Sequence, residues 1–315
     1  MKRSTFVGAA AAALVVAAKS PAAAAESDIA LHTATGTIAG TLSLPAATPA
    51  PVVLIVAGSG PTDRDGNSGL IAPGTYRLLA AALASRGVAS VRYDKRGVGA
   101  SASAAASEKD LRFETYIGDA VAWMQLLASD RRFTKLVVAG HSEGSLIGIV
   151  AVQQTPAAAL VSLEGAGRPA YEVLREQLKP KTPPALYAQC DAIITQLQQG
   201  HTVAEVPGEL YALFRPSVQP YLISWFAYDP AKEMTKVKIP ATIVQGTADV
   251  QVTMADARAL HAADPASQLV VVQGMNHVLK HAPDVSSQTA ILHGYQDSSL
   301  PVDPQAVDPV AAAAR

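Results

Sequence analysis

The chain has 315 residues, with 25 Lys and Arg against 26 Asp and Glu, a formal net charge of −1 and 49% hydrophobic residues. That balance argues against a polyanion-binding role, so no nucleic-acid partner is expected. The single cysteine, Cys190, excludes an intrachain disulfide and reads as a packing residue. A chain of this size can bury a sizeable core, as one domain or as a domain with an insertion.

Residues 1–25 read as a secretory signal. Lys2 and Arg3 form a basic start, the apolar stretch 6–18 is too short to span a bilayer comfortably, and Ala23-Ala24-Ala25 offers a small-residue cleavage site. Cleavage there removes Lys2, Arg3 and Lys19 but no acid, leaving a net charge of −4. The expectation is an exported protein, periplasmic or secreted, with no stable membrane insertion after cleavage; an uncleaved N-terminal anchor is the rival.

Residues 29–44 alternate polar and apolar around Thr35-Gly36, which predicts an antiparallel hairpin at a sheet edge. From residue 52 strands and helices alternate. The apolar run 51–57 predicts a buried strand that opens into the glycine-rich loop 58–67. A helix over 76–86 is stopped by Gly87, and a strand follows at 89–93. The helix over 113–129 has a periodic apolar face of Ile117, Val121, Met124 and Leu127. Further strands fall at 135–139, 160–163, 241–246 and 268–273. This alternation implies an α/β fold with a mostly parallel, twisted sheet flanked by helices.

The alternation breaks between residues 167 and 238, where helical segments (171–178, 186–197, 218–228) are separated by prolines. An insertion before the strand at 241–246 lies over the carboxyl edge of the sheet. The expectation is one domain over 26–315 with a helical cap at about 167–238. Aromatic residues cluster there, and Trp225 and Phe226 are the candidates for substrate binding; packing of the cap onto the core is the competing role. The proline-rich stretch 301–309 reads as a biased tail.

The pentapeptide Gly140-His141-Ser142-Glu143-Gly144 follows the strand at 135–139 and precedes an apolar helix-forming stretch. It has the G-x-S-x-G form of a nucleophile elbow in its expected setting. A serine nucleophile must stand clear of the sheet on a tight turn, and the two glycines remove side chains that would clash there. Ser142 is the candidate nucleophile. Asp249 lies just past the strand at 241–246, where catalytic groups gather in open parallel sheets, and His277 lies in the loop after the strand at 268–273. The imidazole is needed to take the hydroxyl proton, and the carboxylate to fix its tautomer.

Glu164, also just past a strand, is a competing acid. Glu143 projects from the elbow, which suits an electrostatic or structural role. His277 and His281 have the spacing of a helical metal pair but lack the glutamate of H-E-x-x-H, so no metal is expected. The 58–67 loop lacks both the ending of a phosphate-binding P-loop and dinucleotide-site spacing, so no cofactor is expected. Its role is instead to donate a backbone N–H to an oxyanion: Ser59, or Gly60 if the register is off by one, with the Glu143 N–H as the second donor. Asp63, Arg64 and Asp65 are either an ion pair that stiffens this loop or solvated turn residues. The charges of the turn at 93–97, also at a strand's carboxyl end, suit either an acidic substrate or, as the favoured expectation, local pairing of Asp94 with Arg96 that holds the loop. Arg168, at a strand end, is a possible substrate contact.

Five motifs recur in this order in bacterial α/β-hydrolases: Gly58-Ser59-Gly60-Pro61-Thr62-Asp63-Arg64-Asp65-Gly66, Tyr93-Asp94-Lys95-Arg96-Gly97-Val98-Gly99-Ala100-Ser101, the elbow, Gln245-Gly246-Thr247-Ala248-Asp249, and Asn276-His277. The chain resembles the exported esterase and serine-aminopeptidase-like branch of that superfamily. The resemblance implies the α/β-hydrolase fold, Ser142 as nucleophile, Asp249 as acid, His277 as base, and hydrolysis of an ester or related acyl bond. One departure is Ala57 before Gly58, where many relatives carry histidine. The expected activity is that of a carboxylesterase on small-molecule acyl esters, without a cofactor. Its rivals are a peptidase or amidase with the same triad, and a non-catalytic binding protein on the same fold.

Overall fold

The computed structural model describes residues 25–69, 71–297 and 299–315. The stretch read as an export signal therefore lies, apart from Ala25, outside the described residues. The chain opens with β1 (Ala25–Thr33) and β2 (Gly36–Leu44), an antiparallel hairpin, followed by β3 (Ala50–Val56). Then come α1 (Thr75–Ala84), β4 (Ala89–Tyr93), α2 (Phe113–Ala128), β5 (Phe133–His141), α3 (Glu143–Ala151) and β6 (Ala159–Leu163). Five helices separate β6 from the next strand: α4 (Ala170–Leu178), α5 (Pro184–Gln198), α6 (Tyr211–Phe214), α7 (Gln219–Phe226) and α8 (Pro230–Met234). The rest comprises β7 (Ala241–Gly246), α9 (Met254–Ala263), β8 (Gln268–Val272), α10 (Gln288–Gln296) and α11 (Pro304–Ala314).

The eight strands among the described residues form one sheet in the order β1-β2-β4-β3-β5-β6-β7-β8. The β1–β2 hairpin pairs antiparallel onto β4, and the remaining strands run parallel. The inner strands are buried on both faces, which explains their unbroken Val, Leu and Ile runs. One apolar core lies under α2, α3 and α9, where Trp123, Met124, Ile149 and Leu260 are fully buried. The other lies under α1 and α11, with Leu79, Leu83, Val307 and Val310. Residues 170–234 carry a core of their own, built on Cys190, Ile194, Leu197, Phe214 and Leu222. Among the described residues no helix is long and apolar enough to cross a membrane.

The chain leaves β3 for β4 on one side and returns to β5 on the other, so the direction of strand addition reverses between β3 and β5. In open parallel sheets the crevice beyond the carboxyl ends at such a switch is where ligands bind. Val56 is paired with Gly140, so the glycine-rich loop and the elbow leave the sheet side by side at that crevice.

Candidate active site

The turn from β5 into α3 holds Ser142 at φ 54 and ψ −121, a conformation costly for a residue with a side chain. The surroundings enforce it. A Cβ on Gly140 would sit 2.1 Å from the Gly144 carbonyl oxygen, and one on Gly144 would sit 2.2 Å from the Val56 oxygen. Strand, turn and helix therefore close on one another only with glycine at both positions. Ser142 itself remains partly exposed while its neighbours are buried.

Asp249 and His277 meet. Asp249 Oδ2 lies 2.7 Å from His277 Nδ1, and Asp249 Oδ1 accepts the Gln251 and Val252 N–H groups at 2.7 and 3.0 Å. An ionised carboxylate only accepts, so Nδ1 carries the hydrogen and Nε2 keeps its lone pair. Burial pushes the Asp249 carboxyl up, but the neighbouring His277 ring and its hydrogen bonds bring it below the usual carboxylate range. Among the described residues no hydrogen bond joins Ser142 to His277; the two share the lining of a cavity of about 130 Å³.

Glu164, at the end of β6 and fully buried, reaches the same carboxylate. Its Oε1 accepts the Gly246 N–H at 2.8 Å, and the Gln245 amide bonds its Oε2. Burial, and then the Asp249 charge, hold its carboxyl well above the ordinary range. Of the pair, Glu164 is therefore the carboxyl that holds its proton more tightly.

In the glycine-rich loop, no acceptor engages the N–H of Ser59 or Gly60 among the described residues, and both residues are exposed at the crevice. The Gly58 N–H is occupied by the Tyr76 hydroxyl at 2.8 Å. The Glu143 side chain folds away from the crevice and is buried, its Oε1 bonded at 2.9 Å to Lys95 Nζ, which also donates to the Gly58 carbonyl at 3.1 Å. Only the fold brings Lys95 to Glu143, 48 residues away in sequence.

Ser142 also borders a second, larger cavity of about 270 Å³, lined mainly by apolar side chains of α3, α4 and α7 and the loops beside them, Leu146, Val173, Leu174, Leu222 and Trp225 among them. Trp225 faces it. Phe226 does not: it is buried on a different face of α7, edge-on to Tyr171, because consecutive helical residues point about 100° apart. The expectation of Phe226 as a substrate contact is thereby corrected. Arg168 borders the cavity, but its guanidinium is held by Asp256 at 2.8 Å and by Glu176. The expected Asp94–Arg96 pair does not form: Asp94 binds Arg64 at 2.8 Å, and Arg96 binds Asp119. Nor do the charges of the glycine-rich loop pair with each other. Arg64 crosses to Asp94, Asp65 to Arg92 at 3.0 Å, and Asp63 caps backbone N–H groups of its own turn.

A strained serine at a strand–helix turn, beside the switch point of a doubly wound sheet, is the arrangement of the α/β-hydrolase fold. Residues 72–206 match the serine aminopeptidase S33 family model. Esterase EstD of Thermotoga maritima is 28% identical over 211 residues, which cover 66% of this chain and 48% of that protein; the chain thus spans about half the length of this curated relative. Est1E from Butyrivibrio proteoclasticus, solved with ferulic acid bound, superposes with a TM-score of 0.59 at 16% identity, covering 84% of this chain and 96% of that one. The Pyrococcus furiosus esterase Pf2001 gives 0.57 at 16% identity, over 81% and 84% of the two chains. At these identities the solved structures establish the α/β-hydrolase fold.

Proposed function

We propose that this protein is a serine hydrolase of carboxylic esters, working through Ser142, His277 and Asp249 and an acyl-enzyme intermediate. The observation that carries the proposal is the 2.7 Å Asp249–His277 contact opening onto the same cavity as Ser142. His277 Nε2 takes the Ser142 proton as the hydroxyl attacks the carbonyl. Asp249 holds the tautomer and stabilises the imidazolium. The N–H groups of Ser59 and Glu143 receive the charge that develops on the oxyanion, a donor pair in which each member is worth about 3–4 kcal/mol. His277 then returns the proton to the leaving oxygen, and water deacylates the enzyme with His277 as base.

The two cavities give the substrate a direction. His277 borders the smaller one and not the larger. A leaving alcohol must take its proton from His277, so it departs on that side and the acyl chain lies in the apolar cavity. Residues 167–238 act in this proposal as a cap whose inner face selects the acyl chain, and residues 1–25 direct export. The likeness to proteins named as esterases supports an ester substrate.

The test is a panel of chromogenic esters, acetyl to decanoyl, with wild type and Ser142→Ala. Turnover by the wild type with near-complete loss in a folded Ser142→Ala is expected; substantial turnover by that variant overturns the assignment. The S33 match favours a peptide bond as a second substrate class, and an anilide of the preferred acyl group separates the two.

A further inference from the structure

We infer that His141 and Tyr76 are positioning residues that lock the oxyanion loop to the loop carrying the base. This rests on the serine-hydrolase proposal above. His141, the residue before the nucleophile, is buried, with its ring 4.9 Å from that of His277 and edge-on to Tyr76 at 5.6 Å. Its Nε2 lies 2.7 Å from the His277 carbonyl oxygen and its Nδ1 lies 2.9 Å from the Tyr76 hydroxyl.

The directions in this chain of contacts follow from donor and acceptor chemistry together with the neutral state of the His141 ring. A carbonyl oxygen only accepts, so Nε2 carries the hydrogen and donates to His277. Burial, and then the neighbouring His277, push the His141 ring down to about 3, so it is neutral and Nδ1 has a lone pair. The Tyr76 hydroxyl therefore donates to Nδ1. Its oxygen in turn accepts the Gly58 N–H at 2.8 Å. Each of these buried polar atoms has a partner, and none has a spare role.

The consequence lies at the two ends. The Lys95 ammonium holds the Gly58 carbonyl from the other side at 3.1 Å, so both backbone polar groups of Gly58 are pinned. A Cβ on Gly58 would lie 3.1 Å from Ser142 Cβ and 3.3 Å from His141 Nδ1, which shows how closely the loop rests on the elbow. The Ser59 N–H, one residue on, inherits its position from that anchorage. At the other end, the His277 carbonyl is held while its ring takes up the proton. The relay thus sets the distance between oxyanion donor and base across a gap in sequence that no local structure spans. A displacement of about 1 Å in such a site costs about a hundredfold in rate.

The test uses the full chain, the preferred chromogenic ester and an alkyl boronic acid, which forms a tetrahedral adduct with a nucleophilic serine. Tyr76→Phe deletes one oxygen and keeps the ring. Its kcat is expected to fall by about tenfold to a hundredfold with KM nearly unchanged, and boronate binding is expected to weaken in step. His141→Gln, whose amide retains a donor and an acceptor, is expected to keep clearly more kcat than His141→Leu. Wild-type kcat in a folded Tyr76→Phe, or equal loss in the Gln and Leu variants, overturns the relay. Should Tyr76→Phe fail to fold, the Gln–Leu comparison decides alone. Fluorophosphonate labelling of the wild type separates the two levels. A wild type that neither labels nor hydrolyses esters overturns the serine-hydrolase proposal and the relay with it; one that labels, with variants as active as wild type, overturns the relay alone.

Discussion

Two carboxyl groups, Glu164 and Asp249, meet beyond β6 and β7 in surroundings too dry for both to be charged. The shifts run in opposite directions, up at Glu164 and down at Asp249, so Asp249 faces His277 as the anion. Asp249→Asn should lower kcat by about four orders of magnitude, the loss that the same change causes in a serine-protease triad. Glu164→Gln is neutral and close in shape to the protonated acid it replaces, and should retain most activity. It should also remove any fall in the wild-type rate that accompanies ionisation of Glu164, because ionised Glu164 would repel Asp249. Rate profiles against pH for the two variants check this; a Glu164→Gln as crippled as Asp249→Asn would make Glu164 the acid. At this scale the sequence is legible where chemistry constrains local geometry, as in the strained turn at Ser142 and the contact of Asp249 with His277. It is opaque where partners are distant. Arg96 has an acid two residues away at Asp94, yet it pairs with Asp119 across the fold.

Helix α7 shows the same divide for an element. Its aromatic content announced a packing or binding surface, but eight residues give too little periodicity to say which side is which. Trp225 faces the larger cavity and stacks on Phe113, with centroids 6.1 Å apart, whereas Phe226 belongs to the core under α4 to α7. The two alanine variants should therefore separate. Trp225→Ala should shift the chain-length preference in kcat/KM, by about 1–3 kcal/mol between acyl chains that differ at the altered wall. Phe226→Ala should leave the preference alone and lower stability by about 3–5 kcal/mol, the usual loss for a buried phenylalanine. Kinetics across the ester panel and thermal unfolding of both proteins check this. Helix α11 was hidden in the sequence. Its prolines suggested a tail, but Pro304 sits in the first turn, where no N–H is needed, and Asp303 caps it by accepting the Gln305 N–H at 2.9 Å. Val307 and Val310 then pack under the sheet.

For the molecule as a whole, alternating strand and helix signals made the parallel sheet legible. The strand order did not follow from them, and it is the order that places the glycine-rich loop against the elbow. That placement buries His141 at the centre of the site and ties stability to pH. The His141 ring titrates near 6.5 when unfolded and is pushed down to about 3 in the fold. Between those values the unfolded chain binds a proton that the folded protein does not, so stability rises with pH across the window. The contribution is intact above about pH 6.5 and is lost progressively as pH falls towards 3. Asp249, held below its ordinary 3.8, acts in the same sense at lower pH, since its stabilisation is lost as the carboxylate is protonated. Glu164 acts oppositely: its raised carboxyl favours the fold at low pH, and that advantage declines as pH rises above 4.5. These opposed terms blur the wild-type curve taken alone. Comparison with His141→Gln cancels those of Glu164 and Asp249, because the amide does not titrate. Denaturant unfolding from pH 7 to 4.5 should show the wild type losing stability relative to His141→Gln, with a slope that approaches about 1.4 kcal/mol per pH unit, one proton's worth. Parallel curves over that range would mean that the His141 ring takes up its proton as readily in the fold as in the unfolded chain, and at low pH Nδ1 would then donate to Tyr76 rather than accept from it.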